Sequence, residues 1–196
     1  MSEKTSANSD RPDGRRLPKP ATAKRLENVA LYYLQRFAAS SESLRRVLMR
    51  RVSKSAYYLD TDPTEGAAYV EDIISRFQGS GLLDDTIYAE GQVKSLFRRG
   101  LSRRAISSRL MEKGVDRAII DTQLNALLED NPDPDLKAAI AFAKRRRLGP
   151  FRPADQRPDR RQRDLASLAR GGFDFETANK VIGAEDELAL EEMVGG

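Results

Sequence analysis

"ISSRLMEKGVDRAIIDTQL" (residues 106–124) and "DLASLARGGFDFETANKVI" (residues 164–182) decide the fold between them. Laid side by side, Leu110 falls on Leu168, Gly114 on Gly172, Asp116 on Asp174 and Leu124 on Ile182. Each stretch reads as a helix, a stop, a cap and a second helix. A helix commonly closes on a residue at positive φ, where glycine has no Cβ to clash. An aspartate two residues later can accept hydrogen bonds from the free N–H groups of the next helix. Helix punctuation explains these glycines and aspartates fully, so no functional role is assigned to them.

The same grammar extends outward. Leu26, Val29, Ala30, Tyr33, Leu34 and Phe37 recur at the spacing of one helix face. Ser40 and Ser41 can cap a second helix carrying Leu44, Val47 and Leu48. "DPTE" at 62–65 places a cap at Asp62, a proline at the first helical position and Glu65 where it can close a capping box. That third helix buries Val70, Ile73, Ile74 and Phe77. A further helix follows Asp84 and Asp85, adjacent acids that cap geometry turns toward backbone N–H groups rather than toward each other. Ser102, Asp116 and the pair Asp133–Pro134 open the next three. No segment shows sustained strand alternation. The fold class expected is all-α: three tandem three-helix repeats in an elongated, curved arrangement. The divisions are an unstructured arm at 1–21, repeats at 22–81, 82–131 and 132–183, and an acidic tail at 184–196.

Composition fits that form. Only 39% of the 196 residues are hydrophobic and 33% are charged, which suits a thin helical assembly with much surface. The absence of Cys removes disulfides and thiolate metal sites; the absence of His removes the usual zinc ligand and general base. No phosphate-cradling glycine loop or nucleophile elbow is present, and the acids are dispersed at helix starts or gathered in the tail. Neither an enzyme nor a cofactor is expected. The N-terminus has no apolar core, and no apolar run is long enough to cross a bilayer, so a cytoplasmic protein without membrane contact is expected.

The distribution of charge carries more than the net +4. Residues 94–117 hold eight cations against Glu112 and Asp116, among them Arg98, Arg99, Arg103, Arg104, Arg109 and Lys113. The first repeat has Arg45, Arg46, Arg50, Arg51 and Lys54, and the third has Lys144, Arg145, Arg146 and Arg147. Single basic residues at helix ends merely favour the negative end of the dipole, by about 0.3–1 kcal/mol. Recurrence in every repeat, with arginine preferred, points to a surface for nucleic acid, for an acidic protein groove, or for both. Tyr32, Tyr33, Tyr57, Tyr58 and Tyr88 could stack on bases, although Tyr33 and Tyr88 lie on apolar stripes and suit the core. The acidic tail reads as solvated; a second reading has it shielding the basic face.

Three stretches resemble the RecX family of RecA regulators: "ALYYLQRFAASSESLRRVLMRR", "GLLDDTIYAEGQVKSLFRRGLSRRAISSRLMEKGVD" and "RRQRDLASLARGGFDFETANKVI". The resemblance spans about residues 26–183. It departs in the first repeat, where the connection is longer and Val52 stands where Gly114 would be. It implies three tandem three-helix repeats, no cofactor, and a monomer bound in the groove of the RecA filament on single-stranded DNA. There such a protein would hinder strand exchange, ATP hydrolysis and coprotease activity, acting on recombinational repair and the SOS response. Contact with double-stranded DNA is also expected. The residues assigned to RecA or DNA are Arg45, Arg46, Arg50, Arg51, Arg98, Arg99, Arg103, Arg104, Arg109, Lys113, Lys144, Arg145, Arg146 and Arg147. The competing reading is a basic helical protein that acts directly on nucleic acid.

Overall fold

The computed structural model describes residues 18–195, and every regular element among them is helical. The helices are α1 (Ala23–Leu34), α2 (Ser41–Leu59), α3 (Pro63–Gly79), α4 (Asp85–Arg98), α5 (Arg103–Glu112), α6 (Arg117–Asp130), α7 (Pro134–Arg146), α8 (Arg157–Arg170), α9 (Phe175–Gly183) and α10 (Glu187–Gly195). Two 3₁₀ turns, Gly149–Phe151 and Ala154–Gln156, bridge α7 and α8. The predicted arm lies, for residues 1–17, outside the described residues.

The caps form where short polar side chains precede apolar stripes. Ser40, Asp62, Asp84, Ser102, Asp116, Asp133 and Asp174 each accept from a backbone N–H in the first turn of the helix that follows. Glu65 does not close a capping box; it accepts instead from the Tyr69 hydroxyl. α1 stops at Leu34, so Phe37 leaves the predicted stripe and stands 55% exposed. α2 runs through Val52 to Leu59 and closes on Asp60 at positive φ. Val52 is buried mid-helix because Gly66 faces it: a Cβ on Gly66 would meet Val52 Cγ1 at 2.5 Å.

Three apolar cores follow in chain order. α1–α3 enclose Leu26, Leu44, Leu48, Val70, Ile73 and Phe77. α4–α6 enclose Ala89, Val93, Ile106, Leu110, Ile120 and Leu124. α7–α9 enclose Leu136, Phe142, Leu168, Phe173 and Val181. Phe97 packs against both the second and the third, so these cores are not independent. In the third, buried Asp164 accepts from the Gly149 N–H at 2.9 Å and pairs with Arg152 at 3.2 Å, which pins the α7–α8 connection. The segment after Gly183, read as a solvated tail, forms α10 and buries Leu190 in the third core.

Two joints link the cores, and both use the same hydrogen bonds. At the first, Ser40 Oγ, the α2 cap, donates to the Lys113 carbonyl at 2.5 Å, and the Ser41 N–H donates to Asp85 at 2.7 Å. At the second, Ser102 Oγ, the α5 cap, donates to the Gly171 carbonyl at 2.8 Å, and the Arg103 N–H donates to Asp135 at 2.9 Å. The helix-ending turns of the later group, Lys113–Gly114 and Gly171–Gly172, therefore dock on the N-terminus of the middle helix before them. Asp84 caps its own helix while its neighbour Asp85 reaches back across the joint.

Candidate functional site

The basic residues divide by what their side chains already hold. Arg45 is engaged: its guanidinium grips Glu71 at 2.7 and 2.9 Å and Glu42 at 2.8 Å. Its hydrogen bonds to Glu71 and Glu42 raise its own pKa, and both carboxyls are held below the ordinary range, chiefly by their bond to Arg45. Arg103 pairs with Asp135 at 3.1 Å, and Lys144 with Glu187 of α10 at 3.1 Å. Arg46 pairs with Glu42 at 2.8 Å and donates to the Glu112 carbonyl at 2.8 Å. The side chains of Arg50, Arg51, Arg98, Arg99, Arg104, Arg109, Lys113 and Arg147 are exposed and make no hydrogen bond or ion pair among the described residues.

Some of these cations adjoin one another across the joints. Arg46, Arg50 and Lys54 surround a shallow depression on α2. Arg46 reaches the carbonyl of Glu112, the neighbour of Lys113. Lys113, Arg99 and Arg109 then ring a hollow with Tyr88, Gln92, Leu96, Leu110 and one acid, Glu112. Arg109 is shared with a second hollow, where Arg145, Arg146 and Arg170 join it. Arg145 also donates to the Arg99 carbonyl. The result is a linked basic track that touches all three helix groups. Arg45, Arg51, Arg98, Arg103, Arg104, Lys144 and Arg147 line none of these hollows.

Arg170 escapes a reading of the sequence that stops at the densest clusters, as do Arg157, Arg160, Arg161 and Arg163 on the same helix. Counting charge along "RPDRRQR" (157–163) with the rule applied to residues 94–117 finds that run. Arg157 is engaged with backbone carbonyls, including Pro150 and Arg152 at 2.9 Å. Arg160 and Arg163 are exposed with no such partner. Tyr88, expected to serve the core, is half-buried against the second core but also borders the hollow of Arg99, Arg109 and Lys113; burial pushes its phenol up.

Among the described residues no group of His, Cys, Asp and Glu could hold a metal ion, and no helix is long and apolar enough to cross a membrane. What the track offers chemically is donors and positive charge, aimed outward.

Fold and surface together define an all-helical protein of joined three-helix groups with a basic face. The family model described as "RecX, second three-helix domain" matches residues 84–124. The regulatory protein RecX of Myxococcus xanthus (strain DK1622) is 39% identical over 170 residues, covering 86% of this chain and 90% of that one. That of Agrobacterium fabrum (strain C58) is 36% identical over 162 residues, covering 83% and 84%. A crystal structure of regulatory protein RecX superposes with a TM-score of 0.55 at 21% identity, over 83% of this chain and 72% of that one, and so shares the fold. The chain belongs to the RecX family.

Proposed function

We propose that this protein binds the RecA filament assembled on single-stranded DNA and restrains it. It slows strand exchange, ATP hydrolysis and coprotease activity, and so modulates recombinational repair and the SOS response. It acts in the cytoplasm as a monomer and without a cofactor. The observation that carries the reading is the linked basic track, on a chain whose relatives are named regulatory protein RecX. A filament of repeating subunits on a polyanion calls for a ligand with repeated, rigidly joined binding elements. The two identically bonded joints supply that rigidity.

A second reading, direct action on DNA, is favoured by the uncompensated arginines that the track gathers at its α5–α7–α8 end. The two readings separate in a titration of RecA's DNA-dependent ATP hydrolysis, set beside affinity for the bare strand at the same salt. Inhibition well below the concentration that coats the DNA supports action on the filament. Inhibition only at saturation of the strand supports the second reading.

A further inference from the structure

The hollow between α5, α7 and α8 has a lining dominated by one kind of side chain. Four arginines from three helices surround it: Arg109, Arg145, Arg146 and Arg170. No carboxylate contributes to its wall, and its volume is about 350 Å³. Like charges gathered in a concavity repel one another, more so where low-dielectric walls focus the field. Here the walls include Leu101, Ala105 and Phe142. The guanidiniums are also positioned. Arg146 lies 4.6 Å from the centre of the Phe142 ring and Arg145 lies 5.9 Å from it. Arg145 is further tethered to the Arg99 carbonyl. Ser167, only 9% exposed, lines the same hollow with no hydrogen-bond partner for its side chain among the described residues.

We propose that this hollow is a binding site for a backbone phosphate of single-stranded DNA. Planar guanidinium forks match the oxygens of a phosphate, and several can share one such group. A flexible single strand can turn one phosphate into a concavity. Duplex DNA, with a persistence length of about 50 nm, carries its phosphates on a stiff convex surface and is a poorer fit. Tyr88, in the adjoining hollow that shares Arg109, offers a ring beside the path of the strand. The inference rests on the basic track facing a polyanion, but it concerns the bare strand and is tested without RecA.

The test uses the full chain and a short fluorescent oligothymidylate, read by anisotropy over a range of salt. The double variant Arg109→Gln/Arg170→Gln is compared with Arg160→Gln/Arg163→Gln, which removes equal charge from the exposed face of α8. The expected result is an affinity loss of about tenfold for the first pair, corresponding to about 1.4 kcal/mol. Its salt slope should fall by about 0.7 for each phosphate that the variant no longer neutralises. The second pair should lose less than about twofold. Equal losses for both pairs would overturn the proposal in favour of unspecific attraction. Footprinting of the unaltered protein with phenylglyoxal keeps the test open should a variant fail to fold. The oligothymidylate should protect Arg109, Arg146 and Arg170 more than Arg160 and Arg163. Protection by inorganic phosphate alone at matched phosphate concentration would assign the site to a small anion. Protection by polyglutamate but not by the oligothymidylate would assign it to an acidic protein. Either would overturn the strand assignment. Failure here leaves RecA inhibition standing, and failure of RecA inhibition leaves this binding result standing.

Discussion

The two joints share a hydrogen-bonding frame and differ in what they present outward. At the first, a groove of about 580 Å³ opens between α1 and α4, lined by Leu31, Phe37, Leu82 and Ile87, with Asp84 its one charged residue. At the second, the chain closes down. Gly100, at φ 72°, lies against α7 so tightly that a Cβ would meet the Phe142 nitrogen at 2.7 Å and the Ala138 oxygen at 2.9 Å. The corresponding residue before Ser40 is Ala38, which is exposed in the groove. Gly100 is thus packed against α7 where Ala38 stands open in a groove, and the closed joint is the one that gathers arginines. A repeat can hold its backbone hydrogen bonds constant and vary its surface chemistry from joint to joint.

The largest way to break this contrast is Gly100→Ala. The new methyl group would sit at positive φ and against backbone that cannot step aside, costing about 3 kcal/mol or more. For a chain of this size that is on the order of 10 °C in thermal unfolding. Ala38→Gly at the open joint should cost under about 1 kcal/mol. Equal effects would mean the joints are packed alike.

Ser40→Ala and Ser102→Ala probe what the joints share. Each removes a helix cap and leaves a carbonyl across the joint without its donor, and each should cost about 1–2 kcal/mol in urea unfolding. A loss at only one would show that the common frame is nominal.

Acid probes the ion pairs of the first helix group. Glu42 and Glu71 have folded pKa values below their unfolded ones, so their stabilisation is present above the unfolded pKa. It disappears as pH falls through the unfolded value near 4.5 toward the lower folded value. Because the pair is substantially exposed, the effect should stay below about 1 kcal/mol. Glu71→Gln should flatten the acid limb of a plot of urea midpoint against pH. An unchanged slope would show that the pair does not contribute to acid stability.

The smallest expected effect is at the groove. Phe37→Ser and Ile87→Ser, at 55% and 66% exposure, should shift stability by no more than about 0.5 kcal/mol and leave oligothymidylate affinity unchanged. A loss of strand binding would place the DNA path across the open joint.

Much of this is legible in sequence because it is local. Caps, stops and helix faces depend on residues within a few positions, so Asp62, Asp84, Ser102, Asp133 and Asp174 can be assigned without tertiary knowledge. The joints are not legible: nothing in "LDD" separates Asp84, which caps its own helix, from Asp85, which reaches a helix far upstream. The continuation of α2 through Val52 depends on Gly66 facing it. The candidate site is half legible. Charge counting finds the cations but cannot tell Arg45, held by two glutamates, from Arg109, held by none. The acidic tail shows the same limit. Its charge is plain, while the burial of Leu190 makes removal of residues 184–196 a core deletion as well as a charge deletion. The shielding idea is better tested by Glu187→Gln, which frees Lys144 and should raise strand affinity by less than about threefold.

On this reading, cations from all three helix groups act on the filament as one track. The direct measurement is binding of the full chain to RecA-coated single-stranded DNA at physiological salt. Three variants are compared, each neutral at one part of the track: Arg50→Gln/Lys54→Gln, Arg99→Gln/Lys113→Gln and Arg146→Gln/Arg170→Gln. Every variant should weaken binding severalfold and lower its salt dependence. Wild-type affinity in all three would contradict it, as would a loss confined to a single helix group.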